Sequence, residues 1–273
     1  MLEGIVEALS PADIAGNVAL SASVGWPDTH QEWQAIYDAA RVLGVRRADG
    51  LVAQGALCIF ESAGSIAKMV VAPAAQRQGL GTKVFDRLLH EAEQHGLSAL
   101  GLVATPLGQA MYATRGFRAT GEVAIILGTP RLERWSESKL DIEPVVDVQQ
   151  LLSLERRFMA GSRAAVLRGR LSQSCASAVC SGGFALATPQ GNIARVGPII
   201  AEDEPTARAL TLALAARVKG PMRFDIPGEK AGFRAWLSEL GLLEKGVHLE
   251  MALGSVPPWH VPARFALATQ AWG

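Results

Sequence analysis

The sequence predicts an α/β (α+β) chain of two related units in tandem, and three observations carry that expectation. At residues 65–92, "SIAKMVVAPAAQRQGLGTKVFDRLLHEA", a strand-like run ends in a glycine-bearing turn that opens directly into an amphipathic helix. At residues 97–128, "LSALGLVATPLGQAMYATRGFRATGEVAIILG", strand, helix, turn and strand follow one another. The end of that stretch then returns: "QAMYATRGFRATGEVAIILG" (109–128) aligns with "RAWLSELGLLEKGVHLEMALG" (234–254). At an offset of 125 residues, Gly116 falls on Gly241 and Gly121 on Gly246, and a closing Leu-Gly follows in both after one extra residue.

Composition narrows the class. In 273 residues, 49% are apolar and 19% charged, enough material for well-packed units of ordinary size. Lys and Arg balance Asp and Glu at 26 each, and no basic stripe appears. The broad positive field of a nucleic-acid or anionic-membrane binder is therefore not expected, and partners are expected to be small. The start "MLEGIVEALSPADIAG" has no basic segment followed by an apolar signal core, and no run of about 18 uncharged apolar residues occurs, so a cytoplasmic address is expected. Cys58, Cys175 and Cys180 have no C-x-x-C spacing and read as reduced, buried thiols, with neither a disulfide framework nor a metal site expected.

Element by element, "SVGWPDTHQEWQAIYDAA" (23–40) reads as a turn followed by an amphipathic helix. Ile66, Met69, Val70 and Val71 form a mostly buried strand that stops at Pro73. Val84, Phe85, Leu88, Leu89 and Ala92 recur at helical spacing, with Lys83, Asp86, Arg87 and Glu91 on other faces. Between them, Gly79 and Gly81 remove Cβ atoms where backbone N–H groups can approach a ligand, at a helix start whose dipole favours negative charge. A pyrophosphate suits such a place, although G-x-G before a helix also serves as a plain tight turn. The dinucleotide fingerprint would need a third glycine where Val84 stands, and the P-loop would need G-K-[ST].

Gln76-x-x-Gly79-x-Gly81 after a V-x-P strand end resembles the acyl-coenzyme A loop of the GNAT superfamily of N-acetyltransferases. Tyr112, four residues before Gly116-Phe117, resembles the family's helix tyrosine in the same element order. The resemblance extends through "VGPIIAEDEPTARAL" and "RFDIP" to tandem GNAT proteins of the YitH/HolE type, and spans nearly the whole chain. It implies two GNAT-like domains, each a mixed, mostly antiparallel central sheet flanked by helices, at 1–130 (catalytic) and 140–255 (degenerate), with a C-terminal arm at 256–273. Residues 129–139, "TPRLERWSESK", read as the linker.

The function implied is acetyl-CoA-dependent transfer of an acetyl group to a primary amine of a small molecule, with acetyl-CoA as co-substrate. The alternative is a non-catalytic acyl-CoA sensor, and a third possibility is a structural protein whose loop is only a turn. By resemblance, the coenzyme is held by Met69, Val70 and Val71 through backbone groups, by the loop Gln76, Arg77, Gln78, Gly79, Leu80, Gly81 and Thr82, and by Thr105, which stands where many members carry asparagine. Tyr112 would protonate the departing thiolate; a satisfied core tyrosine is the other reading. The acceptor would meet Trp26, His30 and Trp33, although both tryptophans read equally as packing. For the general base, Asp28, His30, Glu32 and Glu61 are present without motif support.

In the second copy the chemistry is gone. "IAEDEPTA" (200–207) places Glu202, Asp203 and Glu204 opposite the glycine loop, where like charge repels a pyrophosphate, and Leu237 falls opposite Tyr112. The tail "SVPPWHVPARFALATQAWG" reads as an extended arm packed on one domain with exposed aromatics; Trp259 and His260 either pack or reach the acceptor groove.

Overall fold

A computed structural model describes residues 4–133, 140–159 and 162–272. In the first unit, β1 (Val6–Ala8) is followed by α1 (Ile14–Ala22), α2 (His30–Ala39), β2 (Ala40–Arg47), β3 (Gly50–Phe60) and β4 (Ala63–Val71). The glycine loop leads to α3 (Leu80–Gln94), and then come β5 (Ala99–Ala104), the short α4 (Gln109–Ala113) and β6 (Arg118–Gly128). The second unit adds α5 (Val148–Phe158) and α6 (Ala164–Ser172), then β7 (Ala176–Cys180), β8 (Gly183–Gln190) and β9 (Ile193–Ala201). It continues with α7 (Glu204–Ala215), β10 (Met222–Pro227), α8 (Ala231–Glu239) and β11 (Leu243–Gly254), and the tail contributes β12 (Arg264–Ala266).

The helices form where their apolar spacing can be buried. α3 sends Leu80, Val84, Phe85, Leu88 and Ala92 into the core and packs on β3 and β4. Each of the four larger side chains, Leu80, Val84, Phe85 and Leu88, stabilises the fold by roughly 1.5–3 kcal/mol. Helix α2 begins with a capping box: Glu32 N–H donates to Thr29 Oγ1 at 3.1 Å, while Thr29 N–H donates to Glu32 Oε2 at 2.9 Å.

Among the described residues, eleven strands lie along one mixed, mostly antiparallel sheet in the order β1-β2-β3-β4-β5-β11-β6-β10-β9-β8-β7, with β12 added on β9. Its centre interleaves the two units. β11 pairs with β5 on one side (Leu249 opposite Ala104) and with β6 on the other, and β6 pairs with β10 (Phe224 opposite Ile126). The last strand of each unit is thus inserted between the last two of the other. The repeat at 109–128 and 234–254 is the α4–β6 and α8–β11 pair that makes this exchange. The expected boundaries divide the chain, but the sheet runs across them. Of the expected linker, residues 134–139 lie outside the described residues; just before them, Arg131 N–H donates to the Leu240 carbonyl at 2.8 Å.

Two expectations are corrected. Cys58 is buried, but Cys175 is exposed and Cys180 half-buried. The tail aromatics are not exposed: Trp259, Phe265 and Trp272 are buried, because the arm runs in the seam between the units and does not lie on one of them. Trp259 meets Phe60 of the first unit edge-on at 5.4 Å, whereas Phe265 packs on Phe233 of the second.

Candidate active site

The strands β4 and β5 run parallel and pair only at Ala63, Gly64 and Ser65, opposite Ala99, Leu100 and Gly101. Beyond Ser65 they part, so residues 66–71, including Met69, Val70 and Val71, have no β5 partner on that side. A bulge against β3 helps to turn β4 away: pairing jumps from Ala67 to Val70, and Lys68 takes a positive φ of 55°. The parting ends at the glycine loop, where Gln76, Arg77, Gln78 and Gly79 are exposed. Gly79 is the N-cap of α3 at φ 78°, a left-handed conformation suited to glycine, with open space where a Cβ would stand. The first carbonyl partner inside the helix belongs to Lys83 N–H, which donates to Gly79 O at 3.0 Å, so the N–H groups of Leu80, Gly81 and Thr82 face out of the helix end. Gln76 and Gln78 bind the carbonyls of Val71 and Ala74 and brace the loop, and Arg47 holds Gln78 at 2.7 Å.

At the other end of the parting lies a cavity of about 200 Å³. Of the residues expected at the site, Met69, Thr105, Tyr112 and Trp26 line it. Tyr112 is buried against Phe85, ring centres 4.9 Å apart, and burial pushes its phenol up to about 12. His30 is exposed and lies outside the cavity lining. Trp33 is fully buried beneath Lys68, whose ammonium sits 5.8 Å from the ring centre; it is a core residue of α2. Among the candidates for a base, Asp28 and Glu32 line the cavity, and Glu61 sits on the exposed β3–β4 turn.

More than a third of this wall comes from outside the first unit: Gln190, Arg195 and Arg223 from β8, β9 and β10, His248 from β11, and Thr269, Gln270 and Ala271 from the tail. These residues carry no motif and are placed only by the strand exchange. One network holds them. Arg195 Nη1 and Arg223 Nη2 donate to the buried Asp225 carboxylate at 3.0 and 2.8 Å, and Gln270 Nε2 donates to the same group at 3.0 Å. Gln270 Oε1 must then accept from His248 Nδ1, 2.9 Å away, which fixes the imidazole tautomer with its Nε2 lone pair free in the neutral ring.

Two sequence profiles, each described as an acetyltransferase (GNAT) domain, match the chain at residues 28–128 and 151–261. The chain belongs to the GNAT acetyltransferases. It carries two such domains in tandem, and it is an acyltransferase. It is 27% identical over 240 residues, 84% of each chain, to the uncharacterized N-acetyltransferase YitH of Bacillus subtilis. Its fold resembles the crystal structure of a candidate acetyltransferase from Pyrococcus horikoshii, with a TM-score of 0.83 at 19% identity over 100% of this chain and 97% of that one. It also resembles a tandem GNAT protein from the clavulanic acid biosynthesis pathway, with a TM-score of 0.67 at 15% identity over 93% and 99% of the two chains.

In the second GNAT domain the corresponding places are filled by the chain itself. β9 and β10 also pair at three positions and then part, but β12 occupies the parting: Arg264 pairs with Ile200, and Leu267 N–H donates to the Asp225 carbonyl at 2.9 Å. A Cβ on Gly197 would stand 1.9 Å from the Leu267 carbonyl oxygen, so glycine is required for this approach. At the start of α7 the Asp203 carboxylate accepts from Thr206 N–H at 2.8 Å; the Thr206 side chain and this N–H hold its pKa below the usual range and put an anion at the helix end. Leu237 is wholly buried in α8.

Proposed function

We propose that this GNAT protein transfers an acetyl group from acetyl-CoA to the primary amine of a small molecule by direct attack on the thioester, at a single site in the first domain. The observation that carries the reading is the continuity of three features there: a helix start with outward N–H groups, an unpaired β4 edge, and a cavity lined by Tyr112. The residues fit the coenzyme thioester. N–H groups of the loop from Gln76 to Thr82 suit the pyrophosphate, with Arg77 as added charge. The backbone of Met69, Val70 and Val71 suits the pantetheine amides and the thioester oxygen, and Thr105 offers a hydroxyl beside them.

At the reacting end, the neutral amine nitrogen attacks the thioester carbon, and His248 Nε2 takes a proton from that nitrogen as the amide bond forms and the carbon–sulfur bond breaks. Tyr112 donates its hydroxyl proton to the departing sulfur. A cavity of about 200 Å³ favours a compact acceptor.

The test combines calorimetry with acetyl-CoA and a free-thiol release assay over an amine panel. One bound acetyl-CoA per chain and amine-dependent thiol release are expected. Two equivalent sites would overturn the single-site assignment, and binding without thiol release for any amine would favour the acyl-CoA sensor.

A further inference from the structure

The charges around the cavity are unequally satisfied, and the imbalance describes an acceptor. On the first domain's side, Asp28 has a side chain only 5% exposed, and its Oδ1 accepts from Lys68 Nζ at 2.6 Å. Its Oδ2 is buried and has no hydrogen-bond partner in the described structure. A buried carboxylate oxygen without a donor is unfavourable, so this atom is suited to receive an N–H from a bound amine. On the second domain's side, Arg195 is fully engaged, with Nε and Nη2 on Gln190 Oε1 at 3.3 and 2.9 Å and Nη1 on Asp225. Arg223 is not. Its Nε and Nη2 share Asp225 Oδ1 at 3.2 and 2.8 Å, while Nη1 has no acceptor among the described residues and the side chain keeps 20% exposure.

Charge counting around the cavity points the same way. Lys68 is balanced by Asp28, and Arg195 by Asp225. Glu32, which accepts from Gln190 at 3.2 Å, offsets the buried Arg170 behind the wall, whose guanidinium binds the Gly197 carbonyl at 2.7 Å. Arg223 is the cation left over. An amine poised to attack is neutral, so an acceptor that matches one excess positive charge carries a single negative group elsewhere.

We infer that the acceptor is a small amino-carboxylate, its amine at Asp28 Oδ2 and its carboxylate at Arg223 Nη1. This rests on the acetyltransferase reading above and adds the substrate class to it. The second domain, although it has lost its own coenzyme site, thereby supplies the specificity-determining residue of the first. Arginine suits the role because its planar fork can hold Asp225 on one edge and a substrate carboxylate on the other.

The experiment uses the full-length protein with acetyl-CoA and a panel of α-, β- and γ-amino acids, each beside its neutral carboxamide, with free-thiol release as the readout. At least one amino acid is expected to exceed its carboxamide in kcat/KM by about 10²-fold. In Arg223→Gln that ratio should collapse toward unity, mainly through KM, and in Arg223→Lys part of it should return, while calorimetric affinity for acetyl-CoA stays at the parental value. Thermal protection of the parental protein by the preferred amino acid, and none by its carboxamide, reads binding apart from turnover. Amines that turn over with no preference for a carboxylate would overturn this inference alone, as would an Arg223→Gln variant that binds acetyl-CoA normally and keeps the full preference. Absence of thiol release with every amine overturns both this inference and the acetyltransferase reading.

Discussion

At Tyr112, packing and the proposed chemistry meet on the same side chain. Its ring fills the space between Phe85 and Phe117, and its edge belongs to the cavity wall. Burial raises the phenol to about 12, so it stays protonated throughout the range in which the enzyme would be assayed. Tyr112→Phe keeps the ring and removes the hydroxyl: kcat should fall by roughly 10²-fold with acetyl-CoA affinity unchanged, as steady-state kinetics beside calorimetry would show. An unchanged kcat would make Tyr112 a core residue only. For His248 the fixed tautomer predicts a similar loss. His248→Gln keeps a polar partner for Gln270 but no comparable base, and its kcat should fall by about 10²-fold or more; a parental rate would return the role of base to Asp28 or to water.

On the scale of elements, the junction between β4 and α3 is where the proposed coenzyme binding can be separated from folding. Gly79 holds a left-handed φ of 78° beside open space, so Gly79→Val introduces strain of roughly 1–2 kcal/mol and a side chain across the outward N–H groups. Acetyl-CoA affinity should drop by at least about 10-fold while circular dichroism still reports a folded protein. Retained affinity would reduce the loop to a turn. The arm provides a contrasting case, an element held by charge. Arg264 grips Glu250 with two hydrogen bonds of 2.8 Å, and His260 Nε2 lies 3.3 Å from the same carboxylate. Although burial opposes ionisation, these partners win and hold Glu250 down at about 2. A depressed carboxylate stabilises the fold above its unfolded value, near 4.5, and that contribution is lost as pH falls toward 2. Glu250→Gln should cost about 3 kcal/mol or more at pH 7, because it leaves Arg264 buried without its counter-charge. Denaturant melts of both proteins at pH 7 and pH 3 should show the gap narrowing in acid; a constant gap would show that the carboxylate is not the cause.

For the whole molecule, the exchanged strands predict that the two domains fold as one unit. A fragment ending at residue 139 would lack β11, leaving facing edges of β5 and β6 unpaired and the apolar side chains beneath them uncovered. Such a fragment should be aggregated or unfolded, and co-expression with residues 140–273 should restore a soluble pair; size-exclusion chromatography and circular dichroism decide. A monomeric, cooperatively melting 1–139 fragment would show that the first domain closes its sheet without help.

What the sequence determined by itself was local. The apolar run stopping at Pro73, the glycines at 79 and 81 and the stripe through Val84, Phe85 and Leu88 announce strand, turn and helix because each follows from backbone freedom and periodicity within a few residues. The repeat, with Gly116 on Gly241, announced the second unit, and the acidic "AEDEPT" segment announced its altered loop; the Asp203 cap shows what now stands there. The place of Tyr112 on the helix before Gly116-Phe117 was legible in the sequence, whereas the burial of Trp33 was not, since a tryptophan on an amphipathic helix faces core or cleft according to partners elsewhere. Only the tertiary structure decided that β11 and β6 trade places, that β12 fills the gap of the second domain, and that Arg223, His248 and Gln270 face a cavity begun by Asp28 and Tyr112. Those residues lie more than a hundred positions from the glycine loop in the sequence. No local pattern encodes which strand edge another strand will choose; that choice depends on every backbone hydrogen bond and apolar face that must be satisfied at once.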